Sequence, residues 1–244
     1  MIPQHNMQIH SILSNCASRE MTIERIINEA ERGGLETIGI SDHIDLPDSA
    51  RQDRLLANFE IVEKLNPSMN VRVGCEASQI APNTIAVDKA TAQQLDFVLV
   101  ATNHYHLRQV EKPHDSSPAS YAAHYLRMVE GAIDWGHTTI IPHPFLLAKV
   151  RELNHAQVLA SYNRDELHRI LHKAAGMDVA FELNPRHLRH AMDFFEELLA
   201  LGRQVGLKFA LGTDAHQPHD IAYSQEDVET LNQLRIDESD LIVA

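Results

Sequence analysis

Thr37-Ile38-Gly39-Ile40 runs directly into Ser41-Asp42-His43. The first four residues suit a short strand buried on both faces, and the next three are polar and end on an imidazole. The same arrangement recurs along the chain. Met7–Ile9 leads to His10, Val71–Gly74 to Cys75-Glu76, and Phe97–Ala101 to Asn103-His104 and His106. Thr139–Ile141 leads to Pro142-His143, the run Val179–Leu183 carries Glu182 with Asn184 behind it, and Phe209–Leu211 leads to Gly212-Thr213-Asp214-Ala215-His216.

Helical patterns separate these runs. Residues 22–32 place Ile23, Ile26, Ile27 and Ala30 on one face and stop at Gly33-Gly34. Ser117-Pro118 opens a helix with Tyr121, Tyr125, Met128, Val129 and Ala132 as its stripe, ending near Gly136. Asn163 and Glu166 form a capping pair before Leu167, Ile170, Leu171 and Ala174. Residues 188–201 carry Met192, Phe195 and Leu199, and Ser224 caps a last helix with Val228, Leu231 and Leu234. Strand and helix therefore alternate, which implies βαβ units and a mostly parallel sheet. The chain reads as one domain over 1–244, with one long polar loop at Asn103–Ser117.

The steps between His10, His43, Glu76, His104, His143, Glu182 and Asp214 are 33, 33, 28, 39, 39 and 32 residues. A βαβ unit takes ~30 residues or more, so each step is about one strand plus one helix. Seven successive strands thus deliver a metal-type side chain at the carboxyl end, where an α/β barrel builds its site. Carboxylate and imidazole ligands without a Cys-x-x-Cys pair suit catalytic zinc, manganese or iron. The ligands exceed one ion's needs, so two or three divalent ions are expected, with Glu76 as a bridge.

Composition is that of an ordinary globular chain. The chain has 244 residues, 44% of them apolar and 23% charged, which excludes disorder and collagen-like repeats. Its 16 histidines are nearly as many as its 21 Lys and Arg together. A net charge of −13 argues against extended nucleic acid and anionic membranes as partners. No apolar run reaches the ~18 residues a membrane span needs. The first ten residues, MIPQHNMQIH, have neither a basic n-region nor an apolar h-region, so no signal peptide is expected. Cys16 and Cys75 make no disulfide framework, and a cytoplasmic location is expected.

The stretches Gln8-Ile9-His10-Ser11, Ser41-Asp42-His43, Gly74-Cys75-Glu76, Asn103-His104, Pro142-His143-Pro144, Glu182-Leu183-Asn184 and Gly212-Thr213-Asp214-Ala215-His216 are each short. In this order and spacing they resemble the PHP (polymerase and histidinol phosphatase) superfamily of metal-dependent phosphoesterases. The resemblance covers nearly the whole chain. It implies a distorted, TIM-like, seven-stranded (β/α) barrel with up to three metals. It implies that His10, Glu76 and Asp214 hold a first ion, and Glu76, His104 and His143 a second. His43 and His216 would hold a third, with Cys16 at the place of a further ligand. Two departures stand out. Gln8 replaces the first histidine of the family's His-x-His pair, and its amide oxygen is a weaker, neutral ligand. His5 is near but at the wrong offset for that strand face. Cys16 stands where many members have histidine; as a thiolate it would favour a soft ion, and as a plain thiol it would have no role.

The resemblance implies hydrolysis of a small phosphate ester, a phosphorylated metabolite or nucleotide, by hydroxide generated at the metals near Glu76. No G-x-S-x-G elbow, Walker A loop or G-x-G-x-x-G offers another chemistry. Arg186, just past a strand end, is the expected phosphate clamp, with Lys149 and Arg151 as further cations. His106, His114 and His187 are candidate general acids, and Asp42 is a candidate to orient His43. Two other readings stand beside this one: a binding or regulatory module whose metal site is partly degenerate at Gln8, and an amidohydrolase-type hydrolase.

Overall fold

The apolar runs become the strands of a parallel sheet nearly closed into a barrel. The computed structural model describes residues 3–146, 150 and 153–242. The strands are β1 (His5–Ile9), β2 (Thr37–Ile44), β3 (Asn70–Ala81), β4 (Thr84–Ile85), β5 (Phe97–Ala101), β6 (Ile140–Ile141), β7 (Ala180–Leu183) and β8 (Phe209–Leu211). Seven of them pair in parallel in the order β1-β2-β3-β5-β6-β7-β8, and β4 folds back on β3 as an antiparallel hairpin. The helices are α1 (Ile23–Arg32), α2 (Ser49–Leu65), α3 (Lys89–Ala92), α4 (Pro118–Asp134), α5 (His155–Ala160), α6 (Arg164–Gly176), α7 (Pro185–Leu188), α8 (Met192–Val205) and α9 (Gln225–Gln233). Among the described residues no helix is long and apolar enough to cross a membrane.

The helices start where the sequence offers caps. Thr22, Ser117 and Asn163 accept the backbone N–H three residues ahead, and Ser224 with Asp227 forms a complete capping box. The helix predicted over 188–201 is α8, shifted to Met192–Val205, and α7 precedes it as a separate short turn capped by Asn184 through Arg186 N. The pattern gave no sign of α2. Its buried residues are only Gln52, Leu55 and Asn58, while Ile61 and Leu65 are exposed, so no apolar stripe marks it.

Alternate residues of each strand point inward. Phe97, Leu99, Ile140, Ala180 and Ala210 join Met7 in an apolar cluster that plugs one end of the barrel, here called the floor. The neighbouring residues Val98, Val100, Ile141, Phe181, Phe209 and Leu211 face outward into the larger core under the helices. The floor is built around Phe97. A Cβ on Gly74 would meet the Phe97 carbonyl at 2.5 Å and its ring at 2.6 Å, and one on Gly39 would meet the ring at 2.6 Å. Only glycine lets two adjacent strands pass this ring.

The barrel has a seam between β1 and β8, which share no ladder. One parallel bridge, Ile9 with Ala215, joins them, with His10 N donating to Ala215 O at 2.9 Å. Side chains do the rest. Asn6 Nδ2 donates to Thr213 Oγ1 and Asn6 Oδ1 accepts from Thr213 N, while His5 Nε2 accepts from Leu211 N. The β1 register shifts between Asn6 and Ile9.

Candidate metal centre

At the carboxyl end of the strands, the mouth, the inward column changes character. Gly74 is followed by Glu76 and Ser78, Ala180 by Glu182, and Gly39 by Ser41 and His43. Glu76 is wholly buried, and four imidazoles surround its carboxylate. His143 Nε2 lies 2.8 Å from Oε1 and His104 Nε2 3.3 Å from the same oxygen. His10 Nε2 and His43 Nδ1 each lie 3.3 Å from Oε2. His10 Nε2 is also 3.0 Å from Asp214 Oδ1. Three groups of donors close enough to share an ion result: His10, Glu76 and Asp214; Glu76, His104 and His143; and His10, His43 and His216. Cys16 Sγ stands 3.1 Å from His216 Nε2, beside the third group.

The hydrogen bonds behind the rings decide which nitrogen each presents. Ser14 Oγ–H donates to Asp42 Oδ1 at 2.7 Å, so this hydroxyl can only accept from His10 Nδ1, 3.3 Å away. Ser78 Oγ–H donates to Asp45 Oδ1 at 2.7 Å, so it accepts from His104 Nδ1 at 2.8 Å. His216 Nδ1 donates to Asp214 O at 2.7 Å. In all three rings Nδ1 carries a proton, so Nε2 is the nitrogen presented to the mouth and the one an ion would take. His43 Nδ1 is buried without a hydrogen-bond partner. Lone pairs aimed at carboxylate oxygens repel unless a cation lies between them, so this donor set fits divalent metal.

With no ion between them, a proton takes that place on His10. Burial alone would disfavour a charged His10, yet Asp214 and Glu76 raise its pKa well above the ordinary value. Burial would raise Glu76, but His43 and the hydrogen-bonded His10, His104 and His143 hold it well below the usual carboxylate range. His43 falls to about 3, chiefly through burial and also through the charges of His10 and His104. Glu182 is pushed up to about 8, chiefly by burial, which outweighs the opposing pull of His143.

Other expected site residues sit elsewhere. With its amide nitrogen turned toward Glu182, Gln8 donates to both carboxylate oxygens, at 2.5 and 3.0 Å. Glu182 Oε2 also accepts His143 N–H at 2.6 Å, so Glu182 supports the backbone of His143 and lies outside the three groups. Asp42 does not orient the His43 ring; it takes hydrogen bonds from Ser11 and Ser14 and acts on His10. Arg186 Nη1 donates to Asp220 at 2.7 Å, and Arg186 is not on the cavity wall. Lys149 and Arg151 lie outside the described residues. His114 is almost fully exposed, beside Asp115, and away from the cavity.

A cavity of about 460 Å³ opens above the donors. His106 and His187 line it, as do Leu46, Leu107 and Leu146. His187 has its pKa lowered to about 4, by burial and then by His143, and so is neutral at pH 7. The wall also holds Arg51, which the sequence reading passed over because α2 carried no pattern. Arg51 Nε donates to His43 O and Nη2 to Leu13 O.

No family model matches the chain, and no curated protein matches it in sequence. Solved structures do match in fold. A histidinol phosphate phosphatase from Lactococcus lactis, solved with zinc, L-histidinol and phosphate, superposes with a TM-score of 0.70 at 17% identity, over 99% of this chain and 95% of that one. A structure from Listeria monocytogenes assigned as a histidinol phosphatase gives 0.65 at 11%, over 89% and 97%. A chain of an archaeal ribonuclease P solved with mature tRNA gives 0.50 at 13%, over 94% and 89%. The shared fold thus spans different activities, and function has to be argued from the site.

Proposed function

We propose that the protein is a metal-dependent phosphatase acting on a small phosphate ester. The observation that carries this reading is the ring of four imidazoles about Glu76, two of which, His10 and His104, have Nδ1 held by a serine behind the ring so that Nε2 faces the mouth. His10, Glu76 and Asp214 would hold one ion and Glu76, His104 and His143 a second; His43 and His216, with His10 and Cys16 beside them, would hold a third. Bound ions supply an acidified water and positive charge for the phosphoryl oxygens.

The chain's own residues supply the rest. Asp42 through Ser14, and Asp45 through Ser78, keep His10 and His104 in one tautomer and one orientation. Glu182 fixes His143 through its backbone N–H, where φ is +34°. Neutral His187 can accept a hydrogen bond from substrate or water at the cavity wall. The cavity volume lies in the range of small-molecule sites, and Leu46, Leu107 and Leu146 give an apolar wall for the organic part of the ester. The small cavity and the acidic chain favour a small metabolite over a long polynucleotide.

The test has two readouts. Elemental analysis of the purified protein should find two or three equivalents of zinc, manganese or iron. Phosphate release should follow with p-nitrophenyl phosphate, nucleotides and L-histidinol phosphate, the last chosen because the Lactococcus enzyme binds histidinol and phosphate. Gln8, turned toward Glu182, favours a second reading, a module with a weakened first position. One equivalent of metal and no turnover would decide for that reading.

A further inference from the structure

We propose that Arg51 is the residue that grips the phosphoryl group of the bound ester, the role for which Arg186 looked suited in the sequence. The inference rests on the phosphatase reading and deepens it. Among the described residues on the cavity wall, Arg51 is the one Lys or Arg side chain. The remaining charged wall residues are acidic or histidine, including Asp45, Asp48, Glu76 and Asp214. Among the described residues, an anion entering this cavity therefore meets a single permanent side-chain cation.

Two observations set Arg51 apart from a surface arginine. It forms no ion pair with any described carboxylate, whereas Arg186 is closed by Asp220 at 2.7 Å. Its anchors are neutral carbonyls, His43 O through Nε and Leu13 O through Nη2, which orient the guanidinium without cancelling its charge. Nη1 has no partner among the described residues. The carbonyls belong to the segments that carry His43 and Cys16, so the fork is held beside the third group of donors. A pre-oriented guanidinium loses little freedom on binding, and its planar fork matches phosphate geometry.

The experiment compares the metal-loaded wild type with Arg51→Met and Arg51→Lys. Inorganic phosphate is the probe, titrated calorimetrically, with kcat and KM on p-nitrophenyl phosphate alongside. Arg51→Met should weaken phosphate binding about tenfold to a hundredfold, the range for a hydrogen bond between charged groups, and raise KM. Metal content and thermal midpoint should stay at wild-type values. Equal phosphate affinity in both proteins overturns the proposal while leaving the phosphatase reading intact. If Arg51→Met loads less metal, the lysine variant decides, since lysine keeps the charge but not the two-pronged hold on the carbonyls. Retained phosphate affinity in Arg51→Lys upholds the contact, and metal loss equal to that of Arg51→Met reduces Arg51 to a loop brace. Wild type that binds phosphate but turns over no ester sinks the catalytic reading alone; wild type that binds no phosphate sinks both.

Discussion

Met7, Phe97, Leu99, Ile140, Ala180 and Ala210 fill one end of the barrel interior, and Glu76 with its histidines fills the other, on the same strands. At the floor every group is satisfied by its neighbours. Ring, methyl and glycine fit at van der Waals contact, and burying that apolar surface stabilises the fold. At the mouth four imidazoles crowd around a wholly buried carboxylate with no apolar group between them. Such an arrangement costs stability unless something cationic joins it. The floor is organised for the chain itself and the mouth for a guest.

The largest test of that division is Glu76→Ala. It should strip nearly all bound metal and lower turnover by ~10³-fold or more, since all three protein-held positions touch Glu76 or its partners. Far-UV circular dichroism should stay unchanged. Phe97→Ala is the converse. It should reduce unfolding free energy by about 3–5 kcal/mol, the usual range for a buried aromatic, with metal stoichiometry retained. If Phe97→Ala empties the mouth as thoroughly as Glu76→Ala does, the two ends are not independent and the comparison breaks.

Ser78→Ala probes the boundary between them. It frees His104 Nδ1 from its acceptor and should weaken metal affinity about tenfold to a hundredfold, read by competition with a chelator. Its effect on the unfolding midpoint should be small beside that of Phe97→Ala. The smallest effect is expected on the outer shell. Glu130 on α4 accepts from Arg169 and Lys173, and chiefly the Arg169 hydrogen bond pulls its pKa from 4.5 to about 2. A depressed carboxylate pKa gives stability that is present above about pH 4.5 and is lost as pH falls toward 2. Glu130→Gln should remove that acid-side dependence at a cost below ~1 kcal/mol, because the pair is open to solvent. Metal content should not respond, which gives the baseline for the other variants.

What could be read before the structure follows the same division. Strands buried on both faces show as short apolar runs, so Phe97–Ala101 and Phe209–Leu211 match the observed β5 and β8 at both ends. A candidate donor one to three residues beyond such a run is legible by its position, as His10, His43 and His104 are. Roles set by tertiary contacts were not. Ser14 and Ser78 are ordinary serines in sequence, and only the placement of Asp42 and Asp45 beside them turns each into a relay. Gln8 could be seen as a departure, but its contact with Glu182 joins residues far apart in the chain. Arg51 was hidden because α2 buries Gln52 and Asn58 where a pattern would need apolar residues.

The seam between β1 and β8 gives the mouth a second meaning. His10 and Asp214 stand on opposite sides of it and are 204 residues apart in the chain. An ion held by both would close almost the entire polypeptide into a ring. In the loop-entropy description, a clip across that span removes on the order of 5 kcal/mol of freedom from the denatured chain. The ion would then be a clasp as well as a reagent: the last long-range contact made during folding and the first released by a chelator. Backbone amides of β1 and β8 should exchange with solvent faster once the clasp is opened, while those of β3 and β5 keep their protection.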